Sequence, residues 1–506
     1  MRDVRFWARI PDVPARTGAE FLDGLRGAQR AVWIDGELIT DPTTHPTTRG
    51  GAASLAELFD RQHKFADECL VPDPETGEAI NVSHMLPRSL EDLRRRHVGL
   101  VRMSEGTAGL MGRTPDYMNM KFSAFGSAPW VWAGDDGRNA GGAENIVAYR
   151  KHLARDDVAL THTIIQPTID KRTDARFVGS EANLHKVGET SEGIVVRGGR
   201  VLATLAPFAD ETAVYPALAL PEGAEAHAVA FAIPLSTPGL KFLCRDSASA
   251  PNADPFDKPL SFHFDEQDAF CIFDDVVVPW DRVFLDGDIE IYNSMWATNF
   301  QIHMVSQSTT RALTKLEFAY GLACRMAEMI GDESPATTEM LGELACYVEV
   351  TRSAVELSIE RGWERERDGM WFPAHEPLAP MKALLATWMP RVNEIITLIG
   401  SHNLLTTPTR SQLDDAALRP LIDEMLHGAD GTPADERAAL FRMAWDFVGT
   451  TLAGRGFLYE RFYLTSATRN RQLLHRLVDR TRANAIVDEM LAMTSRTGKQ
   501  ERGPSQ

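Results

Sequence analysis

The stretch GLMGRTPDYMNMKF, residues 109–122, decides the fold. Glycines at 109 and 112 free the backbone just before a cation, Arg113. The Thr-Pro-Asp sequence that follows is typical of a helix start, because it offers a capping hydroxyl, a proline for the first helical position and an acid near the positive helix end. Arg113 and Tyr117 would then flank one helix N-terminus with free backbone N–H groups. This arrangement suits an anionic or phenolic oxygen, and a well-capped surface turn is the alternative.

A second stretch, THTIIQPTID at residues 161–170, contains a single histidine, His162. Its β-branched and apolar residues predict a strand. A lone histidine in such a strand is often a core residue whose hydrogen bonds are satisfied. The strand alone therefore leaves the role of His162 open.

Together the two stretches resemble the large, oxygenase component of two-component flavin monooxygenases, the 4-hydroxyphenylacetate 3-hydroxylase family. The pattern M-G-R-[ST]-P-D-Y is specific to that family, and the Thr-His strand follows it at a matching distance. The resemblance covers most of the chain, from about Arg16 to Arg480. It includes RTGAEFL (16–22), DPTTHP (41–46), SEGIVVRGGRVLAT (191–204), IPLSTPGLKFLCR (233–245), FDDVVVPWDRVF (273–284) and LYERFY (458–463).

The composition limits the kinds of partner and the cellular compartment that we expect for this protein. The chain has 506 residues, 44% hydrophobic and 25% charged, which fits a globular protein of about three domains. Its net charge of -18 argues against a nucleic-acid partner, because phosphate binding needs clustered Lys and Arg. Five scattered cysteines without a CxxC pair argue against a structural zinc site or an iron–sulfur cluster. No membrane-spanning run or signal-peptide core is evident, so we expect a cytoplasmic protein.

The pattern of secondary structure predicts an α+β chain that is mostly α. Short β-branched runs occupy the middle of the chain, with a tight hairpin expected at Gly198-Gly199, and helical periodicity surrounds them. Helical domain, β-sandwich or barrel, then helical bundle is the order of acyl-CoA-dehydrogenase-like flavoproteins, to which the family is similar in fold. The predicted parts are an N-terminal arm (1–16), an N-terminal helical domain (17–157), a central β domain (158–286), a C-terminal helical bundle (287–495) and a flexible tail (496–506).

The source of electrons must lie outside this chain. No G-x-G-x-x-G stands between a strand and a helix and no P-loop is present, so the sequence shows no Rossmann site for NAD(P)H. The resemblance implies that a separate NAD(P)H:flavin reductase supplies reduced FAD, which diffuses to the oxygenase. There it reacts with O₂ to give a flavin C4a-hydroperoxide, which a phenol attacks through its ortho carbon. The site must keep water out and polarise the phenol.

The resemblance also assigns roles to residues. His162 would hydrogen-bond or deprotonate the phenol, Arg113 would stabilise the phenolate and the activated oxygen, and Tyr117 would position them. Residues 453–456 match a loop that meets the FAD phosphates, often from a neighbouring subunit, although Gly456 stands where the family often has a longer polar side chain. The flavin contacts that transfer are His162, Thr163, Ile164, Thr168, Ile169, Asp170, Lys171, Leu202, Ala203, Thr204, Ala453, Gly454, Arg455 and Gly456.

One departure from the family concerns the substrate. The phenylacetate hydroxylases hold the substrate carboxylate with two hydroxyl residues where this chain has Ala217 and Leu218. An unpaired carboxylate there would be costly to desolvate. We therefore expect a phenol without that carboxylate, or one that places it elsewhere; two tryptophans in a Gly-rich loop, Trp130 and Trp132, could line an enlarged pocket. Halogenated or nitro-substituted phenols, larger or carrier-tethered tyrosine-like aromatics, and N-oxygenation of an arylamine all stay open.

Two alternative functions remain to be considered, and the resemblance also implies an oligomeric state. An acyl-CoA dehydrogenase or hydroxyacyl-CoA dehydratase would keep the fold, although the dispersed cysteines do not supply the cluster that the dehydratases need. A non-catalytic helical assembly protein would bind no reduced flavin. Family members are usually dimers of dimers through the C-terminal bundle, so the resemblance implies a homotetramer.

Overall fold

The computed structural model describes residues 15–169 and 181–500, with side chains up to residue 493. Most of the predicted N-terminal arm and C-terminal tail, and the candidate residues Asp170 and Lys171, lie outside the described residues. The backbone of 496–500 continues the last helix. No described helix is long and apolar enough to cross a membrane.

The first part of the chain is mostly helical. A capping box of Thr17 and Glu20 starts the first helix, and Ser89 caps the helix Leu90–Glu105 by accepting a hydrogen bond from the Asp92 N–H. A short hairpin turns at Asp35-Gly36, where both residues have positive φ. The elements are α1 (Gly18–Gly27), β1 (Val32–Ile34), β2 (Glu37–Leu38), α2 (Arg49–Lys64), α3 (Ala66–Cys69), β3 (Leu70–Pro72), β4 (Ala79–Asn81), α4 (Leu90–Glu105), α5 (Pro115–Gly126), α6 (Pro129–Ala133) and α7 (Ala140–Asp156).

The middle of the chain forms two facing sheets, so of the predicted alternatives, a sandwich or a barrel, the structure shows the sandwich. A six-stranded sheet has the order β2-β1-β10-β11-β7-β6 and a four-stranded sheet the order β12-β9-β8-β5. Buried side chains such as Val196, Phe231 and Phe273 fill the core of the sandwich. The elements are β5 (Leu160–His162), β6 (His185–Glu189), β7 (Gly193–Thr204), β8 (Glu211–Val214), β9 (Val229–Pro234), β10 (Leu240–Cys244), α8 (Pro259–Phe264), β11 (Asp268–Pro279) and β12 (Val283–Asp286).

Two features of the sheets differ from the sequence prediction. The predicted hairpin at Gly198-Gly199 is wrong, because both glycines lie inside the continuous strand β7. Gly198 has φ +117°, and a side chain there would collide with the backbone of Asn183; the glycine therefore serves a close approach of two chain segments. The early hairpin also joins this sandwich, since β1 pairs in parallel with β10.

The last part of the chain is a helical bundle around the long helix α10. This helix packs against α11 and α12 on one side and against α4 and α5 on the other. The helix Pro335–Glu360 is followed by a hairpin, and two separate helices follow Ser466. The elements are α9 (Ile289–Ser294), α10 (Phe300–Ile330), α11 (Pro335–Glu360), β13 (Trp363–Arg365), β14 (Met370–Phe372), α12 (Met381–Gly400), α13 (Asn403–Thr406), α14 (Arg410–Leu413), α15 (Arg419–Met425), α16 (Ala434–Val448), α17 (Thr451–Phe462), α18 (Ala467–Leu477) and α19 (Thr481–Gln500).

Candidate active site

Helix α5 starts where the sequence predicts but is held by packing. Pro115 occupies its first turn, while the side chain of Thr114 makes no capping hydrogen bond, so that detail of the prediction is wrong. Every residue of α5 is buried, because the helix lies between α7, α10 and β5. The carboxylate of Asp116 accepts a hydrogen bond from Gln307 Nε2 at 2.8 Å, and burial raises the pKa of Asp116.

Arg113 and Tyr117 converge as expected, together with a third residue from the far end of the chain. The Arg113 guanidinium carbon lies 4.2 Å from the centre of the Tyr117 ring, and Arg113 Nη1 donates to the Tyr459 hydroxyl at 2.6 Å. Any side chain at Gly112 would collide with that hydroxyl, which explains the glycine. The backbone N–H groups of Gly112 and Arg113 donate to the carboxylate of Glu266 at 2.9–3.0 Å. These N–H groups are therefore engaged rather than free for a ligand.

His162 lies beside the same tyrosine. It ends strand β5, its ring centre is 5.7 Å from that of Tyr117, and its Nδ1 is 3.0 Å from the sulfur of Met118. Burial lowers the pKa of His162 well below its usual value, and the charges of Lys121 and Arg113 lower it further. His162 is therefore a neutral imidazole, and it can form a hydrogen bond with a phenol.

Two residues that the sequence did not assign complete the cluster. Lys121 Nζ donates to the hydroxyls of Tyr215 at 2.5 Å and of Tyr117 at 3.2 Å. Burial raises the pKa of Tyr215 well above its usual value; at Tyr117, burial acts the same way, but Arg113 and Lys121 outweigh it and lower the pKa. The sequence feature that could have indicated Lys121 is its position four residues after Tyr117, in a helix of otherwise largely uncharged residues.

An apolar surface lies on the outer face of the six-stranded sheet. Leu202 is the extra residue of a β-bulge, with φ +66°, and its side chain is half-exposed. Ile165, which pairs with Val201, and Phe270 are also exposed. Three exposed apolar side chains on neighbouring strands form a surface on which a flat aromatic ring can stack.

The other candidates on these strands differ in exposure. Ala203 is buried in the sandwich core, and the Thr204 hydroxyl donates to Asp268 Oδ1 at 2.7 Å. Thr163 is buried, and its N–H donates to the carbonyl of Ala213. The partly or fully exposed candidates are Ile164, Thr168 and Ile169.

Residues 453–456 are helical, so the predicted loop is wrong. They form the first turns of α17, after Thr450. The Arg455 guanidinium donates to Asp268 at 2.9 Å and to Glu266 at 2.6 Å, which links it to the backbone of the M-G-R stretch. A Cβ added at Gly454 would meet no atom within 4 Å, so this turn leaves room for a ligand.

The structure revises part of the prediction about which residues line the substrate pocket. Ala217 is half-buried and Leu218 exposed, just after β8. Trp132 is fully buried, with its ring 5.3 Å from that of Phe125, so it cannot line an open pocket. Both tryptophans belong to helix α6 rather than to the predicted Gly-rich loop, and Trp130 is only partly buried.

Comparisons with known proteins agree along most of the chain. Residues 17–285 match the family model "4-hydroxyphenylacetate 3-hydroxylase N terminal", and residues 292–492 match the corresponding C-terminal model. The chain belongs to the 4-hydroxyphenylacetate 3-hydroxylase family.

Relatives in this family share about a third of their residues with the chain. It is 35% identical to the 4-hydroxyphenylacetate 3-monooxygenase oxygenase component of Thermus thermophilus, over 92% of this chain and 95% of that one. It is 31% identical to the oxygenase component of 4-nitrophenol 2-monooxygenase from a Rhodococcus species, over 89% and 86% of the two chains. A crystal structure of a 4-hydroxyphenylacetate 3-monooxygenase oxygenase component, complexed with FAD and 4-hydroxyphenylacetate, superimposes with a TM-score of 0.88 at 34% identity, covering 96% of this chain and 100% of that one.

Membership of the hydroxylase family confirms the class of enzyme and the cofactor. The protein is a monooxygenase that uses FAD and O₂. The exposed apolar surface around Leu202 and the open turn at Gly454 fit a flavin ring and an extended ligand tail. An archaeal 4-hydroxybutyryl-CoA dehydratase superimposes with a TM-score of 0.84 at 18% identity, over 94% of this chain and 95% of that one, which shows the same acyl-CoA-dehydrogenase-like fold and nothing more.

Proposed function

We propose that the protein is the oxygenase of a two-component system that adds one oxygen atom from O₂ ortho to the hydroxyl of a phenol. The observation that carries this proposal is the convergence of Arg113, Tyr117 and His162 in one buried cluster, brought together from α5 and β5. Family membership supplies the reaction class. The cluster supplies what such a reaction needs, namely donors and positive charge around one oxygen atom.

Each of the three residues has a task that its surroundings favour. Bound reduced FAD supplies the oxygen-activating chemistry. Arg113, with no carboxylate bonded to its guanidinium in the described chain, would stabilise negative charge on the phenol oxygen. Neutral His162 would exchange a hydrogen bond with the same oxygen, and Tyr117 would fix its position. Burial of all three keeps water from the reacting atoms.

We assign FAD binding to the surface described above and to the start of α17. Leu202 would contact the ring, and the Thr204 hydroxyl could accept a hydrogen bond while donating to Asp268. Gly454 and Gly456 leave the backbone of the turn accessible. The other residues carried in this proposal are Thr163, Ile164, Thr168, Ile169, Asp170, Lys171, Ala203, Ala453 and Arg455.

Two partners belong to the proposal. The sequence has no dinucleotide fingerprint, so a separate NAD(P)H:flavin reductase would deliver reduced, diffusible FAD. A homotetramer would cover the large apolar side chains that helices α17 to α19 expose, such as Leu458, Phe462 and Leu477.

The substrate is proposed to be a phenol other than 4-hydroxyphenylacetate. Ala217 and Leu218 offer no side-chain donor to a carboxylate, and the Rhodococcus relative is named for 4-nitrophenol, which has none. A halogenated or nitro-substituted phenol, or a larger or carrier-tethered tyrosine-like aromatic, would fit this chemistry.

The test is a stopped-flow experiment on flavin oxidation. The protein is mixed with reduced FAD without oxygen, O₂ is added, and the flavin absorbance is followed with a panel of phenols with and without a carboxylate. We expect oxidised flavin to appear more slowly than from free reduced FAD, and one phenol to be hydroxylated. Oxidation at the rate of free flavin, without hydroxylated product, would overturn the proposal. A KM for 4-hydroxyphenylacetate comparable to that of the best phenol would overturn the substrate argument alone.

A further inference from the structure

Lys121 is a buried cation whose only hydrogen-bond acceptors in the described chain are two phenols. Its side chain is 1% exposed, and its ammonium nitrogen lies 4.6 Å from the ring centres of both Tyr117 and Tyr215. Burying an ammonium without a carboxylate is costly. Nearby Lys315, also buried, pairs with Glu460 at 3.0 Å. The missing carboxylate at Lys121 therefore distinguishes it from a lysine with a structural role.

Among the described residues, the groups that face Lys121 come from α5, β5, the segment after β8 and α10, and none of them is an acid. Tyr117 lies on the same helix, with Arg113 just before it. The others are His162 at the end of β5, Tyr215 after β8 and the ring of Phe300 on α10. The nearest acid to Arg113, Glu266, is bonded to backbone N–H groups and to Arg455. The Tyr117 ring thus has two cations close to it, Arg113 and Lys121.

This placement favours the phenolate form of Tyr117 over that of Tyr215. Tyr117 has both cations close, Arg113 at 4.2 Å and Lys121 at 4.6 Å from its ring centre. The pKa of Tyr117 is accordingly lowered while burial raises that of Tyr215. Burial lowers the pKa of His162 well below its usual value, so His162 is a weak base toward a phenol. A tyrosine phenolate is a better base for this proton, because its pKa is close to that of a phenol.

We infer, resting on the proposed function, that Lys121 is a positioning residue that enables Tyr117 to take the proton from the phenolic substrate. In this step the substrate O–H bond breaks and its proton moves to the phenolate oxygen of Tyr117, forming a new O–H bond. The electron pair stays on the substrate oxygen. The negative charge near Lys121 and Arg113 thereby moves from the Tyr117 oxygen to the substrate oxygen, and the net charge of the site is unchanged.

The activity test compares two phenols of similar size and different acidity. At a pH above neutral, 4-methylphenol still reaches the site protonated, whereas the much more acidic 4-nitrophenol is largely ionised before it binds. With reduced FAD supplied by a reductase, we expect Lys121→Met to lower kcat for 4-methylphenol by about 100-fold and kcat for 4-nitrophenol by less than about 5-fold. The acid limb of the kcat/KM profile for 4-methylphenol should move to higher pH.

Two further variants control this result. Lys121→Arg keeps the charge and should retain most of the activity. Lys382→Met removes a lysine of α12 whose pKa is also lowered by burial, and it should change kcat for neither phenol. Equal losses of kcat on both phenols in Lys121→Met, or an unmoved acid limb, would overturn the inference.

A measurement without turnover separates this inference from the proposed function. The protein is labelled with 3-fluorotyrosine at its eight tyrosines, and the ¹⁹F signal of Tyr117 is assigned from its loss in Tyr117→Phe. The titration midpoint of Tyr117 should rise in Lys121→Met and in Lys121→Gln, which covers the case that one variant folds poorly, and stay low in Lys121→Arg and Lys382→Met. An unchanged midpoint would overturn the role of Lys121 even if the enzyme hydroxylates phenols. A raised midpoint in a protein that turns over no phenol would refute only the function.

Discussion

Two buried clusters of charge lie side by side in this molecule and are built in opposite ways. They meet at Tyr459, whose hydroxyl accepts from Arg113 and whose ring lies under Arg455. The phenol cluster consists of Arg113, Tyr117, Lys121, His162 and Tyr215. The carboxylate cluster consists of Glu266, Asp268, Arg311, Lys315, Arg455 and Glu460.

The difference lies in what balances the cations. In the carboxylate cluster Glu460 accepts from Arg311 at 2.7 and 3.0 Å and from Lys315 at 3.0 Å. Burial alone would raise the pKa of Glu460, but these cations lower it to about 2. In the phenol cluster Lys121 and the guanidinium of Arg113 bond only to hydroxyl and carbonyl oxygens in the described chain. In a charge-matched cluster the loss of one partner leaves a buried charge unbalanced and destabilises the fold, whereas an unmatched cluster retains positive charge for a ligand.

The strongest test of this comparison removes the balancing acid. Glu460→Gln leaves Arg311 and Lys315 buried without a counter-charge, so we expect the free energy of unfolding to fall by about 3–5 kcal/mol. Urea unfolding at fixed protein concentration measures it. A loss below about 1 kcal/mol would mean that the fold does not depend on Glu460 to balance these two cations.

The matching test in the phenol cluster should affect activity instead. Arg113→Met removes the cation nearest the centre of the Tyr117 ring, and we expect kcat/KM to fall by about 10²–10³-fold, as for loss of one charge-stabilising donor. Steady-state hydroxylation with a reductase measures the loss, and urea unfolding of the same variant is the control. If Arg113→Met cost more stability than Glu460→Gln while activity survived, the contrast between the clusters would be reversed.

Acid should act on the carboxylate cluster through Glu460. Its folded-state pKa of about 2 lies below the ordinary glutamate value of 4.5, so its contribution is complete above about pH 4.5 and is lost as the pH falls toward 2. The loss is about 3 kcal/mol for this one buried group. Urea unfolding from pH 6 to pH 3, compared with Glu460→Gln, should show a steeper decline in the unsubstituted protein; parallel declines would contradict the assignment.

The smallest effect is expected at the surface. Glu360 forms an ion pair with Arg94 at 2.6 Å, but both side chains are about half-exposed. Water screens such a pair, so Glu360→Gln should change the free energy of unfolding by less than about 1 kcal/mol. The same urea titration provides the comparison, and a loss near that of Glu460→Gln would show that burial is not what separates the pairs.

Sequence reasoning reached those parts of the site that are local or carried by a motif. The Thr-Pro-Asp signal located the start of α5, and a separation of four residues placed Arg113 over Tyr117. Resemblance to the family brought His162 to the same place, and the ring contact agrees.

The misses share a physical cause, which is pairing between residues distant in sequence. The sequence reasoning did not foresee that the backbone N–H groups of Gly112 and Arg113 would donate to Glu266, which lies more than 150 residues later. The glycine pair in β7 was interpreted as a turn because nothing local shows that another segment passes close to Gly198. Residues 453–456 were expected in a loop but form a helix whose arginine is paired with acids of the β-sandwich.

By itself the sequence determined the family, the order of helical and β regions and the start of α5, because periodicity, capping signals and a dense motif are properties of neighbouring residues. Only the tertiary structure decided which buried cations have acids and which do not. Lys121 and Lys315 look alike in sequence, each lying on a helix that is largely buried. One meets Tyr215, 94 residues away, and the other meets Glu460, because the packing of α5 against the β-sandwich and of α10 against the bundle selects the partner. Charge balance in a protein interior is set by contacts between elements, which no local pattern records.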